Sequence, residues 1–244
     1  MARNLAAYTE QYQRLPFEPI QAHFRRQRVL TEVARYAPRR LLEVGCGLLP
    51  LHTDLRDMHI TVVEPSAEFA SNARATMASG ADVNVIEAYM ETVIPPEEPF
   101  DMVIVSGLLH EVDDPQALLA AVRRMSGMDT VVHLNVPNSR SLHRLLAMAM
   151  GLIDRPEAHS YTQATMQQRG IYDLESLENE LYSAGFVVRE RGSLFIKPFT
   201  HDQMQQLVDQ NFMTKTMLNG LSRLAQTLPE LGSEIWINAN LRNV

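Results

Sequence analysis

The chain is poor in cysteine and lysine. Among 244 residues there is one cysteine, Cys46. That excludes an internal disulfide and any cysteine-based zinc cage, and it suits a reducing compartment. Lysine occurs only at Lys197 and Lys215, so nearly all of the positive charge is arginine. The formal net charge is −7. No basic face favours nucleic acid through counterion release, so no nucleic-acid partner is expected. The opening segment "MARNLAAYTEQYQRLPFE" has no apolar core of signal-peptide type, and no run is long and apolar enough to cross a bilayer. A soluble cytoplasmic protein without a membrane partner is the expectation. Internal repeats and low-complexity linkers are also missing. The length suffices for one large α/β domain whose core needs no disulfide or metal.

What is present is an alternation of two periodicities. Ile20, Phe24, Val29, Leu30, Val33 and Tyr36 recur near helical spacing, which predicts a helix over 19–37 stopped by Pro38. "RLLEVG", "ITVVEP" (60–65), "VNVIEA", "FDMVIVSG" (100–107) and "TVVHLNVP" read as strands, the fourth as one buried on both faces. Between them, "SAEFASNARATMASG" reads as a helix opened by Ser66 and closed by Gly80, and "PQALLAAVRRMSG" as a helix with proline in its first turn. This rhythm predicts a doubly wound, mostly parallel sheet with right-handed crossovers.

After residue 138 the pattern loosens. "SLHRLLAMAMGLI" is an apolar, methionine-rich helix suited to a core or to the interface of a homodimer. Residues 154–172 are polar and aperiodic, as a binding loop would be. "DLESLENELYSAGF" is a helix that Asp173 can cap, and "VVRERGSLFI" is one strand or a bent pair. One or two helices over 200–227 precede a last strand, "SEIWINANL", and read as an insertion (198–230) able to cover a site.

The stretch "LLEVGCGLLP" carries the functional signal. Gly45 and Gly47 follow a strand, where glycine lets a ligand approach the backbone. A dinucleotide site would want a third glycine and free helix N–H groups for the pyrophosphate. Leu48, Leu49 and Pro50 stand there instead, and proline provides no N–H. An adenosine ligand without phosphate loses less from that change.

"LLEVGCG", "VVEPS", "FDMVIVSGLLHEVDDP" and "AGF" resemble, in order and spacing, the class I S-adenosylmethionine (SAM)-dependent methyltransferases, over roughly residues 38–190. The resemblance implies a Rossmann-like seven-stranded sheet, SAM as cofactor and S-adenosylhomocysteine (SAH) as product. It places Glu43, Gly45 and Gly47 along the methionine part and Glu64, followed by Pro65, at the ribose hydroxyls. Where many members carry an acid beside adenine, this chain has Tyr89 and Met90, so backbone contacts and ring packing are expected there. Ser106 ends the fourth strand against the cofactor. "LPFE", "NVPNSRSLHRLL", "KPFTHDQM" and "LPELGSEI" look like a subgroup associated with bacterial polysaccharide, sugar-nucleotide and natural-product pathways. That implies a small polar acceptor, anionic or sugar-like, and an N-terminal helical lid (1–37, with Tyr8, Tyr12 and Phe17) over the domain 38–244.

Methyl transfer from a sulfonium is an in-line displacement dominated by positioning, and a hydroxyl acceptor gains from a base. His110, after the fourth strand, is the candidate base; its alternative role is to pack beside the cofactor. Asn135 and Asn138 are expected to face the acceptor cleft. His143 or Arg144 would hold an anionic group; His159, Tyr161, Arg169 and Tyr172 are contacts offered by the polar loop. Lys197 is a candidate phosphate or carboxylate binder. A metal-dependent enzyme would want oxygen ligands after the fourth strand, where Ser106 and Gly107 stand, so no metal is expected. No Pro-Pro-aromatic segment follows that strand, as a nucleic-acid adenine methyltransferase would carry. No tyrosine has lysine four residues on, as a short-chain oxidoreductase needs. The alternatives kept open are an amine in place of the hydroxyl as the methylated group, a non-catalytic SAM-binding protein and a nicotinamide-dependent oxidoreductase.

Overall fold

The computed structural model describes residues 15–158 and 169–243 of the chain. Seven strands form one sheet: β1 (Arg40–Val44), β2 (His59–Val63), β3 (Val83–Ile86), β4 (Phe100–Ser106), β5 (Ser126–Pro137), β6 (Phe186–Leu194) and β7 (Glu234–Leu241). Their order is β3-β2-β1-β4-β5-β7-β6. The first five pair in parallel, and β7 runs antiparallel between β5 and β6. The chain leaves β1 toward one edge and returns at β4 to build the other half. Ligands of open α/β sheets bind outside the strand ends at this switch point.

Among the described residues, seven helices accompany the sheet: α1 (Glu18–Tyr36), α2 (Ala67–Ala75), α3 (Pro115–Met125), α4 (Leu142–Ala149), α5 (Leu174–Ser183), α6 (His201–Asp209) and α7 (Lys215–Leu224). Successive strand residues point to opposite faces. Leu42, Val44, Val103 and Val105 therefore pack with Leu118, Leu119 and Val122 of α3 and Leu177 and Leu181 of α5. Leu41, Ile60, Val62, Met102 and Ile104 pack on the other face with Val29 and Val33 of α1 and Phe69 and Ala73 of α2. These two cores make the sheet doubly wound, as the strand rhythm predicts.

A third cluster joins distant parts of the chain. Phe17 and Phe24 of the α1 end pack with Phe195, Met204 of α6, Met213, Leu218 of α7 and Trp236 of β7. The segment between β6 and β7 is thereby fastened to α1. Thr200 and Gln203 close a reciprocal capping box at the start of α6, and Asp173 and Ser176 do the same for α5.

Some expected boundaries move. The helix opened by Ser66 stops at Ala75, short of Gly80; Thr76 Oγ1 donates to the carbonyls of Asn72 and Ala73 and Gly80 takes φ +77° in a separate turn. β6 is one strand with an irregularity between Val188 and Glu190. Residues 200–227 hold two helices. The methionine-rich helix α4 buries no residue, so the core alternative for it is overturned. Phe17 does not face a ligand; it is fully buried against Phe195 and His201. Tyr8, Tyr12, His159 and Tyr161 lie outside the described residues. Among the described residues, no helix is long and apolar enough to cross a membrane.

Candidate active site

A cavity of about 930 Å³ opens at the carboxyl ends of β1, β2 and β4, and α1 forms part of its wall. Its two ends are built differently.

At one end the wall is backbone. β1 stops at Val44, and Gly45 N–H donates to Val63 O at 2.9 Å, tying the loop to β2. Gly45 and Gly47 take φ +75° and +54°, left-handed values that side chains disfavour. A Cβ at Gly45 would lie 3.2 Å from Leu108, whereas at Gly47 it would meet nothing within 4 Å. Gly47 thus leaves open space on the cavity wall. Glu64, buried at the end of β2, turns its carboxylate to the same loop. Oε2 accepts from the N–H groups of Cys46 (3.0 Å) and Gly47 (3.3 Å), and Oε1 from Ser66 N–H (2.9 Å). Burial pushes this carboxyl above the usual range, and the backbone donors hold it down in part.

Glu43 settles the missing third glycine. Both of its carboxylate oxygens accept from Leu51 N–H, at 3.2 and 3.0 Å, the N–H that opens the short 3₁₀ turn after Pro50. In a dinucleotide site a free N–H of this kind would meet phosphate. Here it is taken by an internal carboxylate, whose pKa burial pushes up to about 7 while the Leu51 N–H opposes. Arg26 of α1 braces the same turn, donating to Leu49 O, Pro50 O, Thr53 Oγ1 and Asp54. Cys46 is buried, and burial raises its thiol far above reactive values.

At the other end the wall is made of side chains. Glu234, the first residue of β7, is held in a two-point fork by Arg25 of α1: Nε to Oε2 at 2.8 Å and Nη2 to Oε1 at 2.6 Å. Gln21 Nε2 and Asn135 Nδ2 each donate to it at 2.8 Å. Burial alone would raise this carboxyl; the Arg25 charge and hydrogen bonds outweigh it and hold it below its ordinary value. Arg25 also reaches Glu18 at 3.0 Å. Lys197, His143 and His201 line the wall beyond this group. His110 is buried on the wall, its Nε2 3.6 Å from Glu111 Oε1, while its carbonyl accepts from Arg169 and Gly170 N–H.

Of the sequence-derived candidates, Glu43, Gly45, Gly47, Glu64, Pro65, Ser106, His110, Asn138, His143, Arg144 and Lys197 line this one cavity. Others stand elsewhere. Met90 is buried in the core and Tyr89 is half exposed; neither is on the cavity wall. Asn135 lies behind the wall, spent on Glu234. Asn138 is on the wall, but its amide braces a turn through Glu230 O and Gly232 O. Arg169 is a half-exposed partner of Asp113, and Tyr172 is buried in the core. Sequence reasoning missed Arg25, Arg26, Glu18, Gln21, His201 and Glu234. Glu18, His201 and Glu234 fall inside the subgroup-like stretches "LPFE", "KPFTHDQM" and "LPELGSEI" but carry no role there, and Gln21, Arg25 and Arg26 read locally as ordinary helix residues.

The fold is that of SAM-dependent methyltransferases. The plantazolicin methyltransferase BamL, crystallised with a desmethyl-plantazolicin analogue and SAH, superposes with a TM-score of 0.61 at 15% identity, covering 98% of this chain and 91% of that one. Phosphoethanolamine N-methyltransferase 2 of Haemonchus contortus, with phosphomonomethylethanolamine and SAH, gives 0.61 at 14% identity over 89% of this chain and 53% of that one. The [4+2]-cyclase SpnF shares the fold at 0.53 and 15% identity, over 84% of this chain and 75% of that one. No curated protein matches the sequence. A family model described as a methyltransferase domain matches residues 21–191. The chain belongs to that family.

Proposed function

We propose that the protein is a SAM-dependent methyltransferase acting on a hydroxyl of a small polar acceptor, without a metal. The observation that carries this is the join of two ends in one cavity: a glycine loop with a buried ribose-type acid, and a side-chain pocket containing His110. Glu64 would take the ribose hydroxyls, accepting from both in place of the Cys46 and Gly47 N–H groups it now holds. Gly47 supplies the space for the ligand to lie against the loop. The occupied Leu51 N–H argues against a dinucleotide. When bound, SAM supplies a methyl group on a positively charged sulfur. The protein's own work is to align the acceptor oxygen in line with that bond and keep water out. His110 is the residue assigned to take the hydroxyl proton at an imidazole nitrogen. Helix α1 and the 198–230 segment close the acceptor side. The donors after β4, Ser106 and Gly107, offer no carboxylate to a divalent ion.

The test is calorimetric titration of the full chain with SAH and, separately, with NADH. Micromolar SAH binding, lost tenfold or more in Glu64→Ala (about 1.4 kcal/mol), is the expected result. NADH binding in its place overturns the reading. A screen of hydroxylated acceptors with labelled SAM, with His110→Ala beside the wild type, then tests the transfer.

A further inference from the structure

The acceptor end of the cavity contains a cation that no carboxylate pairs with directly. Lys197 is 2% exposed and lies on the cavity wall. Its ammonium makes no hydrogen bond or ion pair within the described residues. The acids that face it are Glu18 and Glu234. Both are engaged by Arg25, and Glu234 accepts from Gln21 and Asn135 as well. Asp202, at the start of α6, is exposed.

Two histidines stand with the lysine. His143, on α4, keeps a buried Nδ1 without a partner among the described residues. His201, on α6, has Nδ1 3.0 Å from Pro16 O. Burial first, then the Lys197 charge, holds both rings well toward the neutral form. Burial likewise brings Lys197 down to about 8, against the pull of Glu18 and Glu234. Lys197 and the two histidines would each be favoured in the charged form by one further negative charge beside them. Arg144, next to His143, is also on the wall, its guanidinium donating to the carbonyls of Pro156 and Ala158. The opposite arrangement, a buried carboxylate paired with Lys197, would have marked a purely structural ion pair.

We propose that Lys197, His143 and His201 form the receptor for an anionic oxygen group on the methyl acceptor, a carboxylate or a phosphate. The proposal rests on the methyl-transfer reading for the identity of the ligand as acceptor. The anion accepts from the lysine ammonium and draws protons onto the corner as it binds. The reacting hydroxyl then lies toward His110, on the glycine-loop side.

Because the chain has two lysines, each can be watched alone. The full protein is labelled with [13C-ε]lysine and saturated with SAH; Lys197→Arg assigns the two resonances. It is titrated with benzoate, phenyl phosphate and the uncharged benzamide at fixed ionic strength. The expected result is a saturable shift of the Lys197 signal with one or both anions, none with benzamide, and no response from Lys215. The Lys197 proton affinity rises tenfold or more in the anion complex, a change of one pKa. The stronger anion tells carboxylate from phosphate. In Lys197→Met, SAH affinity stays within twofold of wild type while anion binding falls tenfold or more. Equal responses of the two lysines, equal effects of benzoate and benzamide, or no saturable response to either anion overturns the proposal. If SAH itself does not bind, the methyl-transfer reading fails, and the same titration without SAH still decides whether Lys197 is an anion receptor.

Discussion

The two ends of the cavity are assembled over very different distances along the chain. At the cofactor end, Glu64 reaches Cys46 across 18 residues and Glu43 reaches Leu51 across 8. At the acceptor end, Glu234 meets Arg25 across 209 residues, Gln21 across 213 and Asn135 across 99. The first end is a strand–loop–turn unit whose geometry is written in glycine and proline. The second is a charge cluster that exists only after α1, β5 and β7 have docked. Under the proposed function the local unit would serve any acceptor, and the distant one would choose among them.

The sharpest way to break that contrast is to remove the centre of the distant cluster. Glu234→Ala removes the two-point acceptor of the half-buried Arg25 and should destabilise the chain by about 3–5 kcal/mol, seen as a lowered urea midpoint. A loss below about 1 kcal/mol would mean that water already serves this corner.

Glu43 tests the cofactor end through pH. Its carboxyl moves from 4.5 to about 7 on folding. The native state then holds a proton that the unfolded chain releases, so stability falls as pH rises from 4.5 to 7 and is level above that. The fall is at most about 3 kcal/mol. Glu43→Gln should flatten it; a slope unchanged in this variant would place the titration elsewhere.

Smaller effects follow at the loop. Gly47→Ala puts a side chain at φ +54°, costing about 1–2 kcal/mol of strain without any clash in the free protein. SAH affinity should fall further than this strain explains, because the Cβ enters ligand space. Equal losses in stability and binding would show that the ligand lies elsewhere. Tyr89→Ala should change SAH affinity least, by no more than about threefold, since the ring is half exposed and off the cavity wall. A larger loss would mean that the ring folds over the adenine in the complex.

How much of this was legible follows the same division. Gly45, Gly47, Glu43 and Glu64 stood out because a backbone turn constrains residue type within a few positions. The strand rhythm predicted the doubly wound sheet because period-two apolar residues must find two cores. The capping box of Thr200 and Gln203 was equally open to reading. Tyr89 and Met90 lie off the cavity wall, because a likeness in spacing does not say which side of a short turn faces a ligand. Met90 went inward to the core and Tyr89 outward.

The sequence by itself determined the sheet, its switch point and the loop at the end of β1, since those depend on periodicity and on the sterics of neighbouring residues. It also determined that two lysines exist. Only the tertiary structure decided that Arg25, Gln21 and Asn135 converge on Glu234, and that Lys197 is buried beside them with no carboxylate in direct contact. Those facts depend on which distant surfaces pack together, and charge complementarity between residues two hundred positions apart leaves no mark on either one's neighbours.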